Sequence, residues 1–363
     1  MSEDSSSSEE TNYSPTTSIS QDTFTTETTT ITAFNVPPET FPSSSSTHLA
    51  IQSLSSILTT LPPPLLSSQD QDPAFSLLHD PDISSQVSSL LRLPDSGAGD
   101  NSLCRWFYDT FQSSEPQLQL VVLRFLPIIA GLYLSRVALK KPLAGFEAVL
   151  LALYAHETTS RAGHAMTVNV PDLSYSSIYH ETKEPAKDNK AAELNLAVIS
   201  PSLEPHGTVR STKRARIVGV ALELYYSKIS LMPVGSKIDF FEFFKVWSGQ
   251  DDDASKECET QDDQEGVGKE SVTKEGRIPL PWEILQPVLR ILGHCLLGPK
   301  KDKELIGAAC AACRSLYSRS LHDINPQAIL GTRSLLRLGE KTLDPKNINA
   351  DHTEIPMNNV IAL

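Results

Sequence analysis

The chain has 363 residues and a formal net charge of −13 at pH 7, and that charge is unevenly spread. Met1 to Ser46 holds seven acidic side chains with no Lys or Arg, and Gln250 to Glu275 holds ten against Lys256, Lys269 and Lys274. The remainder is close to neutral, which excludes general nucleic-acid binding through a basic surface. Five scattered cysteines, and a start with neither a basic nor an apolar signal region, predict a reducing, cytoplasmic setting.

Residues 1–46 are Ser/Thr-rich, acidic and poor in large apolar side chains, so they are expected to form a disordered leader. Ser14-Pro15 and the Ser2–Glu10 run are candidate phosphate acceptors, with a merely solubilising tail as the plainer reading. A helical domain is expected over 47–340, with a flexible tail at 341–363. Ile51, Leu54, Leu58 and Leu61 recur at helical spacing behind Thr47, which reads as a cap; Pro62-Pro63-Pro64 ends the block. Asp80-Pro81 has the pattern of an N-cap followed by a first helical proline, opening a helix through Ile83, Val87, Leu90 and Leu91. Leu103, Trp106, Phe107 and Phe111 share one face of the next.

Gln117 to Leu134 is almost wholly apolar, with Arg124 and Pro127 near its middle. A membrane-crossing helix needs roughly 20 apolar residues. A central Arg costs on the order of 3 kcal/mol, against about 0.3–0.6 kcal/mol gained per large aliphatic residue. With the glutamines and the proline, insertion comes out near zero, so the segment reads as an all-round buried core helix, bent at Pro127. The alternative is an integral membrane protein spanning through 117–134.

Phe146, Val149, Leu150, Leu153 and Tyr154 form another amphipathic set. Val168 to Glu181 breaks the rhythm: Val168 and Val170 alternate with polar residues before Pro171, which predicts an extended segment or short strand. Thr182 to Pro205 reads as loop. Helical spacing returns at Ile217, Val220, Ala221, Leu224 and Tyr225. Ser236 is expected to cap a short helix carrying Phe240, Phe241, Phe243, Phe244 and Trp247. The acidic stretch 250–275 reads as a disordered insert. Trp282 to Leu297, Lys303 to Leu321, and a helix after Asn325-Pro326 reaching about Leu338 complete an all-α, irregular multi-helix stack without a fixed-period repeat.

Candidate chemistry is sparse. Cys310 and Cys313 have the spacing of a redox or metal pair, but without a second pair or an adjacent βαβ pattern they read as small buried helix residues. His156-Glu157 with His164 lacks the spacing of the zinc-protease motif and reads as helix-end residues meeting solvent or backbone. Gly266-Val-Gly-Lys269 matches a phosphate loop only in part and sits among acids that would repel phosphate. Arg210, Lys213, Arg214 and Arg216 are the one basic cluster, a candidate contact for anionic lipid, with a solvated turn as the plainer reading. Tyr179-His180-Glu181 has no third partner at useful spacing, so local hydrogen bonding is the expected role. A helical enzyme using His156, His164 or His180 is a further alternative.

Five stretches, in order, are similar to the hyccin family: Leu118–Leu134, Gly145–Glu157, Val168–Glu181, Arg277–Gly298 and Asn325–Leu338. The most specific is P-x-L-S-x-x-S-x-Y-H-E, here Pro171, Leu173, Ser174, Ser177, Tyr179, His180 and Glu181, followed by the FLP of Phe125–Pro127. The chain resembles a plant-like member. Its acidic leader, its acidic insert and the lack of a long C-terminal extension depart from animal hyccins. The resemblance implies an all-helical, non-catalytic subunit of the phosphatidylinositol 4-kinase type III alpha complex, without cofactors. It further implies packing against a tetratricopeptide-repeat scaffold subunit. A separate palmitoylated anchoring subunit would bring the assembly, with its kinase catalytic subunit, to the plasma membrane, making this chain's membrane association indirect.

Overall fold

Side chains of the third described helix show how local chemistry sets the boundaries. Asp80 lies in extended conformation and its Oδ1 accepts from the Asp82 and Ile83 amides at 2.8 and 2.9 Å, while Pro81 takes the first helical position, where a missing amide costs nothing. The computed structural model describes residues 43–58, 73–113, 115–137, 139–171, 194–205, 213–249, 278–298 and 302–343; all lie in the unit Pro42–Leu363. Residues 1–42, the acidic stretch 250–277 and 344–363 lie outside them.

Among the described residues there are eleven α-helices and one two-stranded sheet. They are α1 (Ser43–Ile57), α2 (Pro73–His79), α3 (Pro81–Arg92), α4 (Ser102–Gln112), α5 (Pro116–Val137), α6 (Ala144–Ser160), β1 (Met166–Pro171), β2 (Leu194–Ser200), α7 (Arg214–Ser227), α8 (Val234–Ser248), α9 (Trp282–Leu297), α10 (Lys303–His322) and α11 (Pro326–Leu343). The all-α stack predicted from periodicity is the observed architecture.

α5 is its axis. It packs against α2, α3, α4, α6, α7 and α8, and most of its side chains are buried on every side, as a helix of this composition requires. Its two arginines explain how charge is tolerated there. Arg124 is buried and its guanidinium donates to the Leu78 carbonyl, and at 3.4 Å to that of Asp80, at the C-terminal end of α2. Arg136, also buried, donates to Leu93 O at 2.8 Å, Arg92 O at 3.3 Å and Ser96 Oγ at 2.9 Å, just past the end of α3. The last carbonyls of a helix have no partners of their own and carry its negative dipole end. Each arginine therefore closes the end of a neighbouring helix. α5 is long and apolar enough to cross a membrane by length and composition, with 78% of its most apolar window buried inside the fold; its apolar faces are taken up by other helices.

Three local expectations are corrected. Thr47 is no cap: α1 begins at Ser43, and Thr47 is buried within it. The Ser53, Ser55 and Ser56 hydroxyls bond back to carbonyls three or four residues earlier, so this serine-rich stretch satisfies itself as helix. Ser236 is no cap either, because α8 starts at Val234. Its buried hydroxyl donates to Arg124 O at 2.6 Å and meets the Tyr225 hydroxyl at 3.0 Å, binding α8 and α7 to α5 in the turn where Pro127 supplies no backbone donor. Finally, residues 194–200 are not loop: β2 pairs antiparallel with β1. The alternation of Leu194, Leu196 and Val198 was the signal, hidden inside a polar stretch.

Most of the aromatic run on α8 packs into the core. Phe240, Phe241, Phe244 and Trp247 are buried and in mutual ring contact, with Tyr225 stacked on Phe240. Backbones approach closely where α7 meets α9: a Cβ added to Gly219 would lie 2.5 Å from the Glu283 carbonyl oxygen. α11 starts as its sequence predicts, with Asn325 Oδ1 accepting from the Ala328 amide at 3.2 Å, and it continues five residues beyond Leu338 to Leu343.

Candidate functional site

Of the reactive side chains singled out in the sequence, Cys310, Cys313, His156, Glu157 and His164 lie among the described residues, and each makes structural contacts there. Cys310 and Cys313 are buried within α10. Burial is the largest cause raising both thiols, Cys313 to about 12, which disfavours the thiolate that attack on substrate needs. The Cys313 thiol points at Thr332 O, 3.4 Å away in α11. His156 presents its ring to the edge of Phe111 at 5.2 Å, and His164 Nδ1 lies 3.0 Å from Arg161 O. Glu157 corrects the expectation of a helix-end residue meeting solvent or backbone. It is buried and pairs with Arg161 at 2.6 Å; Arg161 also holds Glu223 at 2.9 Å and Ser200 Oγ at 3.1 Å. That cluster ties the end of α6 to β2 and α7. Among the described residues no group of three or more His, Cys, Asp or Glu is placed to hold a metal.

Of the family signature, Pro171 closes β1; Leu173, Ser174, Ser177, Tyr179, His180 and Glu181 lie outside the described residues, as do Arg210 and Gly266–Lys269. Lys213, Arg214 and Arg216 come together at the start of α7. The Lys213 ammonium pairs with Glu204, and Arg216 donates to Ser202 O, so two of these charges hold the 201–205 segment. The same segment is pinned from the other side, where the Glu204 amide donates to the Tyr154 hydroxyl at 3.1 Å.

What the fold leaves uncovered is apolar surface. In the β1–β2 ribbon, Thr167 stands opposite Val198, Val168 opposite Ala197 and Asn169 opposite Leu196. Val168 and Val170 therefore project from one face and Leu196 and Val198 from the other. All four are exposed, Leu196 to 65% and Val198 to 61%. A lone two-stranded ribbon is marginal in water, and among the described residues its outer edges carry no further strand. Apolar side chains on both faces, together with open edges, describe a surface suited to burial against another chain. Sequence reasoning located the first strand and missed the second, so it missed the surface they make together.

A cleft of about 640 Å³ opens between α2, α5, α8 and α9, lined by Leu78, Leu120, Met232, Val234, Lys237 and His294. Burial, then the charge of Lys237, holds the His294 imidazole below its ordinary value.

A family model described as Hyccin matches residues 68–357. The match takes in every described element from α2 to α11, including the ribbon and the arginine-bearing axis, and leaves α1 outside. Covering well over half of the sequence and carried by the same helices that build the core, it shows that this chain belongs to the hyccin family.

Proposed function

We propose that the chain is a non-catalytic regulatory subunit of a phosphatidylinositol 4-kinase complex at the plasma membrane. It supports phosphatidylinositol 4-phosphate synthesis by stabilising the assembly, packing against a tetratricopeptide-repeat scaffold subunit. The kinase catalytic subunit and a membrane-anchoring subunit are the remaining partners. The observation that carries this reading is the family match over residues 68–357. The exposed aliphatic ribbon supports it, because permanent interfaces resemble a core cut in half and bury on the order of 2,000 Å² or more. The occupied state of the cysteines, His156, Glu157 and His164 supports a structural over a catalytic role.

Co-expression tests it. Alone, the chain is expected to be poorly soluble or oligomeric, and a tetratricopeptide scaffold subunit should convert it to a defined complex. A monodisperse monomer that ignores such a scaffold would count against the reading. Replacing His156, His164 and His180 in turn by Ala should leave assembly and lipid production nearly unchanged; complete loss with folding intact would favour an enzyme instead. Carbonate extraction addresses the membrane-spanning alternative, since a recruited subunit washes off and an integral one does not. The burial of α5 and the tethering of Arg124 and Arg136 speak for the recruited form.

A further inference from the structure

We infer that the corner between α10 and α11 is a direct contact for an anionic lipid bilayer. The corner is built as a Schellman turn: the Asn325 amide donates to Ser320 O at 3.0 Å and the Ile324 amide to Leu321 O at 3.2 Å. The residue one past the cap in such a turn is left-handed, a place glycine normally fills. Here it is Ile324, with φ of 50°, a conformation that branched side chains rarely adopt. Its side chain is 81% exposed, beside Leu321 at 47% and near Leu330 at 71%. The backbone is thus held in an unfavourable conformation at a position where it projects a large aliphatic group into water.

The outward ridge of α11 continues from Leu330 through Arg333, Arg337 and Lys341, all exposed and three or four residues apart, hence on one face. Arg333 rests on Tyr317, donating to its hydroxyl at 2.9 Å. Among the described residues, the acids nearby do not cancel this row. Asp323 is engaged by Arg319 at 2.5 Å and His322 at 2.9 Å, and Glu340 is the single carboxylate on the exposed side of α11. Aliphatic groups at a convex tip followed by a basic ridge match the side of a bilayer where acyl chains lie beneath anionic headgroups. An acidic protein segment would neutralise the ridge and gain little from Ile324 and Leu330.

This contact differs from the Arg210–Arg216 cluster, in which Lys213 and Arg216 are tied to residues 202–204. It also goes beyond the indirect recruitment proposed above, and its test needs no other subunit, so its failure leaves the complex reading standing. The full chain is mixed with phosphatidylcholine vesicles with or without phosphatidylserine and floated through a density gradient, which leaves aggregates behind. The chain should float with the phosphatidylserine vesicles and not with the others, and salt should weaken it. The combined variant Arg333→Gln/Arg337→Gln/Lys341→Gln should lower the partition by on the order of tenfold or more. Ile324→Gly should lower it several-fold while raising the melting temperature, a pairing that a purely structural role for Ile324 does not produce. Failure of the unaltered chain to float, or flotation unchanged in these variants, overturns the inference. So does flotation lost only in Lys213→Gln/Arg214→Gln/Arg216→Gln. If the α11 variants float normally but lose a co-purifying protein, the corner belongs to an acidic protein partner and the inference falls.

Discussion

Arg124 and Arg136 carry full charges into a long helix buried on nearly every side, and each is held by the carbonyls at the end of another helix. Removing one leaves those carbonyls buried and unpaired, so Arg124→Ala should destabilise by about 3 kcal/mol, read as a lower midpoint in urea. The sequence showed an arginine that, with the glutamines and Pro127, brings membrane insertion of the segment near zero; only the packing of α2 and α3 against α5 showed what holds it. Cys310 and Cys313 allow a second test at this scale. Their raised thiols should resist alkylation in the folded chain at pH 8 and react on unfolding, as followed site by site by mass spectrometry. His294 predicts a pH effect. Its folded-state value is depressed, so below its ordinary value of about 6.5 the unfolded chain takes up a proton that the folded chain refuses. Stability should therefore fall as pH drops from 7 through 6.5, until the depressed folded value is passed. His294→Gln should flatten that part of a melting-temperature profile.

At the scale of elements, close helix packing depends on particular glycines. Gly219→Ala would drive a methyl group into the Glu283 carbonyl between α7 and α9 and should cost about 1–3 kcal/mol. Gly307→Ala is the matched control: nothing lies within 4 Å of its added Cβ, so it should stabilise α10 by roughly 0.5–1 kcal/mol. Thermal denaturation of the two should move in opposite directions. Helices were legible wherever a cap or an apolar period marked them, as at Asp80-Pro81, Trp282–Leu297 and Asn325-Pro326. α2 was missed because seven residues give too short a period to detect, and β2 because its alternation was embedded in a polar stretch. Thr47 and Ser236 were misread as caps because serine and threonine are also tolerated inside a helix, as Ser236 is with its hydroxyl bonded to a carbonyl of α5.

For the whole molecule, the assembly role proposed for the ribbon can be tested apart from stability. Leu196→Ser with Val198→Thr removes exposed apolar surface and should leave the melting temperature of the chain nearly unchanged. The same variant should improve its solubility when expressed alone and weaken co-purification of the scaffold subunit. An unchanged complex would place the scaffold contact elsewhere. Deleting Ser255–Val272 should alter stability little, because its acidic and polar composition brings almost no apolar area to bury; calorimetry of the shortened chain reports this directly.

The amino-acid order alone determined that this is a stack of helices around one apolar axis and that it belongs among the hyccins, because periodicity, caps and local motifs are properties of neighbouring residues. It also located the basic and acidic stretches, which are matters of composition. Tertiary structure alone decided which surfaces remain for partners. Whether Leu196, Val198, Ile324 or Leu330 ends up covered depends on which distant segments pack over it, and whether Arg124 or Lys213 is free depends on carbonyls and carboxylates brought to it by folding. Exposure and charge pairing are set by contacts between residues far apart in the chain, and a linear reading cannot supply them.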